Sequence, residues 1–197
     1  MIIASKNKGK VSEIIKILSL KGVSFEDLQS LDFKGNIKES GKTFLENALI
    51  KAETIFARYG SPVIADDSGL CVSALGGAPG VFSARFAGPG ASDGDNNQLL
   101  LQQLRDIPDN RRTAWFYCVA VLYYGEKSYV FEEGRVDGLI TRLPIGEYGF
   151  GYDPLFYLPE LKKTMAQLPD DLKNQLSHRA AAFQKLKKHI EAYLKDH

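Results

Sequence analysis

Cysteine and histidine are scarce in this sequence, and their scarcity excludes several kinds of site. The chain contains two cysteines, Cys71 and Cys118, and three histidines, at positions 178, 189 and 197. They form no CxxC pair, no HExxH motif and no cluster with zinc-ligand spacing. We therefore interpret both cysteines as small, partly buried residues of a protein in a reducing compartment.

Two further catalytic signatures are missing. No GxSxG motif is present, and neither cysteine has a histidine nearby in the sequence, so the chain offers no recognisable protein nucleophile. A GxGxxG motif with a downstream acid is also absent, which argues against dinucleotide redox chemistry.

An excess of charge and a long apolar run are absent as well. Lysine and arginine total 25 against 24 aspartates and glutamates, a formal net charge of +1, which argues against general nucleic-acid binding. The longest apolar run, from Ala114 to Tyr124, is shorter than the ~20 residues of a spanning helix. Lysines follow Ala4 too closely for a signal peptide. We expect a cytoplasmic protein with no nucleic-acid or membrane partner.

The residues that are present are typical of a globular α/β protein. The 197 residues are 44% hydrophobic and 25% charged, which suits a single domain, organised as two lobes, with its own core. Periodicity predicts strands at 2–4, 62–65, 113–124, 127–131 and 134–142. It predicts helices from Val11 towards a terminating Gly22, from a Thr43–Glu46 capping box to Gly60, from Asn96 to Leu104, and after Ser177.

A polar loop, Ser5-Lys6-Asn7-Lys8-Gly9-Lys10, lies between the first strand and the first helix. Free backbone N–H groups and a helix N-terminus favour an anion such as phosphate, and three lysines strengthen this interpretation. The loop is not a Walker A motif, because Ala4 and Val11 stand where that motif has Gly and Ser or Thr. A solvated lysine-rich turn is the alternative.

Two adjacent acids, in Asp66-Asp67-Ser68-Gly69, follow the strand predicted at 62–65 and are expected to end it. Paired carboxylates at a strand end are typical of a Mg²⁺ site, whereas an Asp-rich turn with a helix cap needs only one. We favour the metal site, because adjacent carboxylates repel each other. Glu39 is the candidate for a further ligand, with a surface glutamate as its alternative.

Two groups of side chains later in the chain could contact the rest of a ligand. The glycine-rich segment Phe150-Gly151-Tyr152-Asp153 offers a ring that can stack on a nucleobase and a carboxylate that can accept hydrogen bonds. A buried aromatic turn is the alternative. Ser177-His178-Arg179, with Lys173 shortly before it, places donors at a helix start. A surface or capping histidine is the alternative there.

These groups together indicate a nucleotide ligand. Asn47 and Lys51, four residues apart, can point together at a polar group. A phosphate-type loop, carboxylates for a hard metal, an aromatic platform and a donor cluster suit a nucleotide with a Mg²⁺-bound polyphosphate. Since no protein nucleophile is evident, we infer that water attacks, activated by metal and carboxylate.

Five motifs follow one another along nearly the whole chain. They are Ser5–Lys10; Glu39–Phe44 with Glu46–Ala48 and Lys51–Ala52; Ala65–Leu70 with Leu75–Gly80 and Ser83–Arg85; Phe150–Pro154; and Ser177–Arg179. In this order they resemble the inosine/xanthosine triphosphate pyrophosphatase family. The resemblance implies an α/β fold, an elongated mixed β-sheet with flanking helices and two lobes around a central nucleotide-binding cleft. It also implies a Mg²⁺-dependent homodimer.

The implied reaction is NTP + H₂O → NMP + PPi on ITP, dITP and XTP. The alternatives are a related pyrophosphatase acting on modified pyrimidine or standard nucleotides, and a non-catalytic nucleotide sensor. By the resemblance, Asp67 is the general base, and Glu39 and Asp67 position Mg²⁺. The implied substrate-binding residues are Ser5, Lys6, Asn7, Lys8, Gly9, Lys10 and Lys51 at the phosphates, with Ser68, and Phe150, Gly151, Tyr152, Asp153, Lys173, His178 and Arg179 around the purine.

Overall fold

A mixed seven-stranded sheet with flanking helices makes up the fold in a computed structural model that describes residues 1–196. The strands are β1 (Ile2–Ile3), β2 (Glu26–Asp27), β3 (Val63–Val72), β4 (Thr113–Gly125), β5 (Ser128–Ile140), β6 (Phe156–Leu158) and β7 (Lys163–Thr164). The α-helices are α1 (Lys8–Leu18), α2 (Phe44–Tyr59), α3 (Asp93–Gln103), α4 (Asp170–Leu176) and α5 (His178–Asp196).

The strand order in the sheet is β2-β1-β3-β4-β5-β6-β7. β1 pairs in parallel with β2 and β3, whereas β6 pairs antiparallel with β5 and β7. The prediction of an α/β fold with a mixed sheet is therefore confirmed. Among the helices in residues 1–196, none combines the length and apolar composition that a membrane span requires.

The chain divides into two compact units, and the first consists of Met1–Asp67, Cys118–Gly134 and the described chain from Ser177 onward. Helices α1 and α5 pack against each other in this unit. One buried core joins them to β1, β3 and β4, with Ile14, Ile64 and Phe183 among its fully buried members. This core holds the N-terminal turns of α1 and α5, with Lys10 and Arg179, near Asp66 of β3.

The second unit consists of Ser68–Tyr117 and Arg135–Leu176. Its core contains Leu70, Leu100 and Leu168, and the rings of Phe116 and Phe156 lie 4.4 Å apart between centroids. The core thereby fixes β6, which follows the glycine-rich aromatic segment in sequence, and α3, which contacts that segment through Asp93 and Asn97.

Helix α2 begins and ends where the sequence predicts. The Thr43 side chain accepts a hydrogen bond from Glu46 N at 3.1 Å, and the Glu46 carboxylate accepts one from Thr43 N at 3.3 Å. Gly60 ends the helix in the left-handed conformation, with φ 64°. Such a capping box satisfies donors that the first helical turn leaves without partners.

Helix α1 ends earlier than predicted. Ser19 adopts the left-handed conformation, with φ 42°, and its N–H donates to the carbonyl of Ile15 at 2.9 Å. The apolar stripe stops at Leu18, so the helix has no further face to bury, and Gly22 lies in the turn beyond. The helix also begins at Lys8 rather than at the predicted Val11, because Asn7 caps it.

The expectation that β3 ends at the paired acids is wrong. The strand continues through Asp66 and Asp67 to Val72, and both acids are buried within it. The strand lies between β1 and β4 in the sheet, and cations described below compensate the buried carboxylates.

Other boundaries also differ from the prediction. β5 is one strand where two are predicted, and α3 begins at Asp93 because Ser92 caps it. Gly134, in the middle of β5, has no room for a side chain: a Cβ there would lie 2.0 Å from the carbonyl oxygen of His178. Sequence periodicity does not predict β2, β6, β7 or α4, which are only two, three, two and seven residues long.

Candidate active site

Hydrogen bonds between neighbouring residues fix the backbone of the loop before α1. The Ser5 hydroxyl accepts from Asn7 N at 3.1 Å, and the Asn7 side chain accepts from Lys10 N at 3.1 Å. Residues 8–11 include no acid, so the partial positive charge at the helix start is not neutralised within its own turn. This arrangement suits an anion.

Lys6 is held on one side of this loop. Its ammonium donates to the carbonyl of Gly35 at 2.8 Å and lies 5.3 Å from the centroid of the Phe33 ring. Lys8 and Gly9 are exposed at the start of α1, and Lys10 is half-buried. Lys10 alone of the three lysines pairs with an acid of β3.

Asp66 meets cations from α1 and α5. Lys10 Nζ lies 3.7 Å from its carboxylate, and Arg179 donates to it from Nε and Nη2, at 3.3 Å each. Burial opposes ionisation, but the charges of Lys10 and Arg179 outweigh it and hold the pKa of Asp66 well below its usual range. Asp66 is therefore a stable anion that fixes two cationic side chains.

Glu13 extends this buried network. Arg179 donates from Nη1 to Glu13 at 2.7 Å, and the Ser177 hydroxyl donates to the other Glu13 oxygen at 3.1 Å. Ser177 also caps α5, as predicted, by accepting from Ala180 N at 3.0 Å. Burial lowers the pKa of Arg179, but the charges of Asp66 and Glu13 outweigh it and raise the pKa above its usual value. No motif marks Glu13, because its partner lies 166 positions away.

Asp67 has a separate set of partners, since successive side chains of a strand point to opposite faces. Asn47 donates to it from Nδ2 at 3.1 Å, and Lys51 donates from Nζ at 3.3 Å. The Asn47 carbonyl oxygen accepts from Gly41 N at 2.8 Å. The prediction that Asn47 and Lys51 point at one polar group is thus confirmed.

Lys51 links Asp67 to Glu39, which accepts from its ammonium at 3.1 Å. Burial lowers the pKa of Lys51, but the charges of Asp67, Asp66 and Glu39 outweigh burial and raise the pKa. Burial raises the pKa of Asp67, and the charges of Lys51 and Lys10 compensate only in part. Asp67 is thereby a better proton acceptor than an ordinary surface aspartate.

The donors around Lys51 fit a hard cation. Glu39 and Asp67 already share one positive charge, the Lys51 ammonium. Within residues 1–196, no group of three or more His, Cys, Asp or Glu side chains is placed to hold a metal. Mg²⁺ typically binds through one or two carboxylates and takes its other ligands from water and substrate phosphates. The pair Glu39 and Asp67 is such a donor set.

A second polar group surrounds Phe150, a residue that is 37% exposed. The Lys173 ammonium lies 4.5 Å from the centroid of the ring and donates to Asp153 at 2.6 Å. The same Asp153 oxygen accepts from Phe150 N at 2.9 Å. Lys173 and Asp153 are both buried, so an exposed ring is presented beside a fixed cation and a fixed anion.

The backbone of this segment is tightly placed. Gly149 has φ 80°, and a Cβ there would lie 2.1 Å from a carboxylate oxygen of Asp153. The buried Tyr152 hydroxyl donates to the carbonyl of Ser83 at 2.9 Å. Burial raises the pKa of Tyr152 above its usual value, so its hydroxyl remains a donor.

The structure distributes the predicted site residues over both units. The first unit contains Ser5, Lys6, Asn7, Lys8, Gly9, Lys10, Glu39, Lys51, Asp67, His178 and Arg179, and the second contains Ser68, Phe150, Gly151, Tyr152, Asp153 and Lys173. His178 is buried at the start of α5. The role of Arg179 at the purine edge stays a prediction, since its guanidinium bonds Glu13 and Asp66.

Comparison with known proteins confirms the resemblance found in the motifs. The Ham1 family model matches residues 1–189. The dITP/XTP pyrophosphatase of Halalkalibacterium halodurans is 47% identical over 96% of this chain and 98% of its own. That of Geobacillus kaustophilus is 47% identical over 94% of this chain and 91% of its own. The structure of the Staphylococcus aureus Ham1 protein superposes with a TM-score of 0.87 at 40% identity, covering 98% of both chains. The chain therefore belongs to the Ham1 family.

Proposed function

We propose that this protein hydrolyses non-standard purine nucleoside triphosphates, namely ITP, dITP and XTP, to the monophosphate and pyrophosphate. Relatives that share 47% of its sequence over nearly their whole length are dITP/XTP pyrophosphatases. The observation that carries the chemistry is Asp67, a buried carboxylate with a raised pKa that Asn47 and Lys51 hold in place.

The triphosphate is proposed to bind at the start of α1. Ser5 and Asn7 fix the loop, the backbone N–H groups of the first turn favour an anion, and Lys10 supplies charge. Lys51, a buried ammonium between Glu39 and Asp67, supplies a further charge for the phosphates. These groups offset the negative charge of the substrate, which otherwise repels an attacking oxygen.

Asp67 is proposed as the general base. The oxygen of a water molecule bonds to the α-phosphorus, and a proton of that water passes to the Asp67 carboxylate. The bond from the α-phosphorus to the α–β bridging oxygen breaks, so that pyrophosphate leaves. Asn47 holds one Asp67 oxygen by a hydrogen bond of 3.1 Å, which orients the carboxylate for this transfer. A positioned base typically contributes ~10²–10⁴-fold to the rate.

Mg²⁺ is the proposed cofactor, with Glu39 and Asp67 as its protein ligands. When bound, it supplies charge neutralisation at the phosphate oxygens and favours ionisation of water. Lys51 shares both carboxylates, so its ammonium must adjust its contacts where a second cation is accommodated.

Base recognition is proposed for the group around Phe150. The exposed ring offers a face on which a purine stacks, Lys173 lies against it, and Asp153 accepts a hydrogen bond from Lys173. We also assign His178 and Arg179 to the purine edge on the strength of their motif. Hypoxanthine and xanthine carry a carbonyl at C6, which a donor such as Lys173 or Arg179 satisfies, whereas adenine carries an amino group. A site built on such hydrogen bonds can reject a mismatch by ~10⁴-fold or more.

A panel of triphosphates tests this proposal. The purified protein is incubated with Mg²⁺ and with ITP, XTP, dITP, ATP, GTP, UTP or TTP, and kcat/KM is measured for each. We expect ITP, XTP and dITP to exceed ATP. Preference for UTP or TTP would make the protein a related pyrophosphatase of different specificity. Tight ITP binding without product would identify a nucleotide sensor.

Three further proposals concern the molecule as a whole. We propose that residues 1–197 act as one nucleotide pyrophosphatase domain, that the protein is a homodimer, and that it is cytoplasmic. Light scattering after size-exclusion chromatography tests whether the protein is a homodimer, and we expect a mass twice that of one chain. A mass of one chain at micromolar protein would contradict it.

A further inference from the structure

Two side chains of helix α3 form hydrogen bonds with the backbone N–H and the carbonyl of Gly151. Asp93 accepts a hydrogen bond from Gly151 N at 2.7 Å, and Asn97 donates from Nδ2 to the Gly151 carbonyl at 3.0 Å. Asp93 and Asn97 are four residues apart, so they lie on the same face of the helix. Gly151 follows Phe150 directly, and both of its backbone polar groups are thereby fixed.

The hydrogen bond from Asn97 to the Gly151 carbonyl is accompanied by an unfavourable feature of the same side chain. Its other amide atom, Oδ1, is buried and has no hydrogen-bond partner within residues 1–196. An unsatisfied buried polar atom is destabilising, and such atoms need an explanation in native proteins. A shorter apolar residue on α3 would avoid the cost but would release the Gly151 carbonyl.

The contacts at Gly151 complete a set that immobilises the backbone around Phe150. The Asp153 carboxylate accepts a hydrogen bond from Phe150 N. Tyr152, which follows Gly151, is held by the bond from its hydroxyl to the Ser83 carbonyl. Phe150 nevertheless stays exposed, with 37% of the residue's surface accessible. An exposed ring on an immobilised backbone loses little entropy when a flat ligand stacks on it.

We propose that Asp93 and Asn97 are positioning residues for base recognition, acting through Gly151 on the orientation of the Phe150 ring. The inference rests on the proposed function only in taking Phe150 as the platform for the purine. Neither residue is assigned a contact with the substrate. Their effect therefore falls on binding of the base and not on binding of the triphosphate.

Steady-state kinetics with a base-free competitor test this inference. Asn97→Ala is expected to raise KM for ITP about fivefold, as for loss of one hydrogen bond, with kcat little changed. The inhibition constant of inorganic tripolyphosphate, which has no base, should stay the same. In a Phe150→Ala background, Asn97→Ala should have no further effect, because the two residues act through one ring.

Asn96→Ala is the matched control. Asn96 is the neighbouring buried asparagine on α3, and it bonds Ala87 N at 2.8 Å and the Ala84 carbonyl at 3.4 Å. We expect it to lower Tm without the base-specific rise in KM. An equal rise in Asn96→Ala, or an Asn97→Ala effect that persists fully in the Phe150→Ala background, would overturn the inference.

A fluorescence measurement separates this inference from the proposed function. Phe150→Trp combined with Trp115→Phe leaves one indole as reporter, since the chain has a single Trp. Without any nucleotide, Asn97→Ala should speed the local anisotropy decay of that indole, and Asn96→Ala should not. An unchanged decay overturns the positioning role, even if ITP is hydrolysed. Failure of the wild-type protein to hydrolyse ITP overturns only the proposed function.

Discussion

Asn47 holds the catalytic candidate Asp67 through a hydrogen bond of 3.1 Å from its amide nitrogen to Oδ2. The orientation of that amide is fixed, because its oxygen accepts from Gly41 N at 2.8 Å. Both side chains are buried, so water does not compete for the bond. One oxygen of Asp67 is thus occupied by a neutral donor while the other contacts Lys51.

Replacing Asn47 is expected to impair the chemical step. Asn47→Ala should lower kcat for ITP by roughly 10–100-fold, as for loss of a hydrogen bond to a charged group, with a smaller change in KM. Stopped assays with quantified pyrophosphate give both constants. Asn36→Ala, at an exposed position of the same unit, is the control. A fall confined to KM would argue against a role in orienting the base.

The adjacent acids should respond differently to the same substitution. Asp67→Asn removes the base and should lower kcat by ~10²–10⁴-fold. The fold should survive, because burial already disfavours the ionised form of this carboxyl and raises its pKa. Activity assays and thermal unfolding on one preparation check both statements. Intact turnover in Asp67→Asn would remove it from the mechanism.

Asp66→Asn is expected to act on stability. It leaves the half-buried Lys10 and the buried Arg179 without their shared anion. Breaking a buried ion pair typically costs ~3–5 kcal/mol. For a chain of this size the loss corresponds to a fall in Tm of roughly 10 °C. Differential scanning calorimetry measures it. A Tm within a degree of wild type would contradict the assignment of Asp66 as a structural anion.

Glu39→Gln is expected to raise the Mg²⁺ concentration at half-maximal rate. The substitution keeps the shape of the side chain but removes one of two anionic oxygen ligands, and Mg²⁺ prefers carboxylates. The rate is followed over a Mg²⁺ titration at saturating ITP. Glu53→Gln, exposed on α2, is the control. Superimposable titrations of Glu39→Gln and wild type would show that Glu39 is not a ligand.

Gly149→Ala should damage base recognition. The new methyl group would meet Asp153 at 2.1 Å, and Asp153 is the residue that holds both Phe150 N and Lys173. We expect KM for ITP to rise roughly tenfold or more, in keeping with the worth of base stacking on an aromatic ring. Gly90→Ala provides a close match, since Gly90 has φ 78° but nothing within 4 Å of its added Cβ. Equal effects of both variants would show that backbone strain alone is responsible.

Local signals in the sequence identify the elements that carry their own caps and periodicity. The Thr43–Glu46 box and Gly60 define α2, and Ser177 caps α5, because these interactions join neighbours in the chain. The course of β3 through Asp66 and Asp67 is not visible locally. It depends on Lys10, Lys51 and Arg179, which lie on three different helices and make the buried carboxylates tolerable.

The candidate site divides in the same way. The motif residues at 5–10 and 150–153 are recognisable because they are contiguous. Glu13 is not recognisable from the sequence, because its partner Arg179 lies near the other end of the chain. Asp93 and Asn97 are not recognisable either, because their partner Gly151 is more than fifty positions away. Such contacts between distant segments become evident only in the folded chain.

Identification of the products of ITP is the most direct test of the account. The protein is incubated with ITP and Mg²⁺, and the nucleotides and phosphates are separated by anion exchange. Hydrolysis at the α–β anhydride predicts IMP and pyrophosphate in equal amounts. The Asp67→Asn variant should not form these products under the same conditions. Formation of IDP and inorganic phosphate, or full turnover in Asp67→Asn, would contradict it.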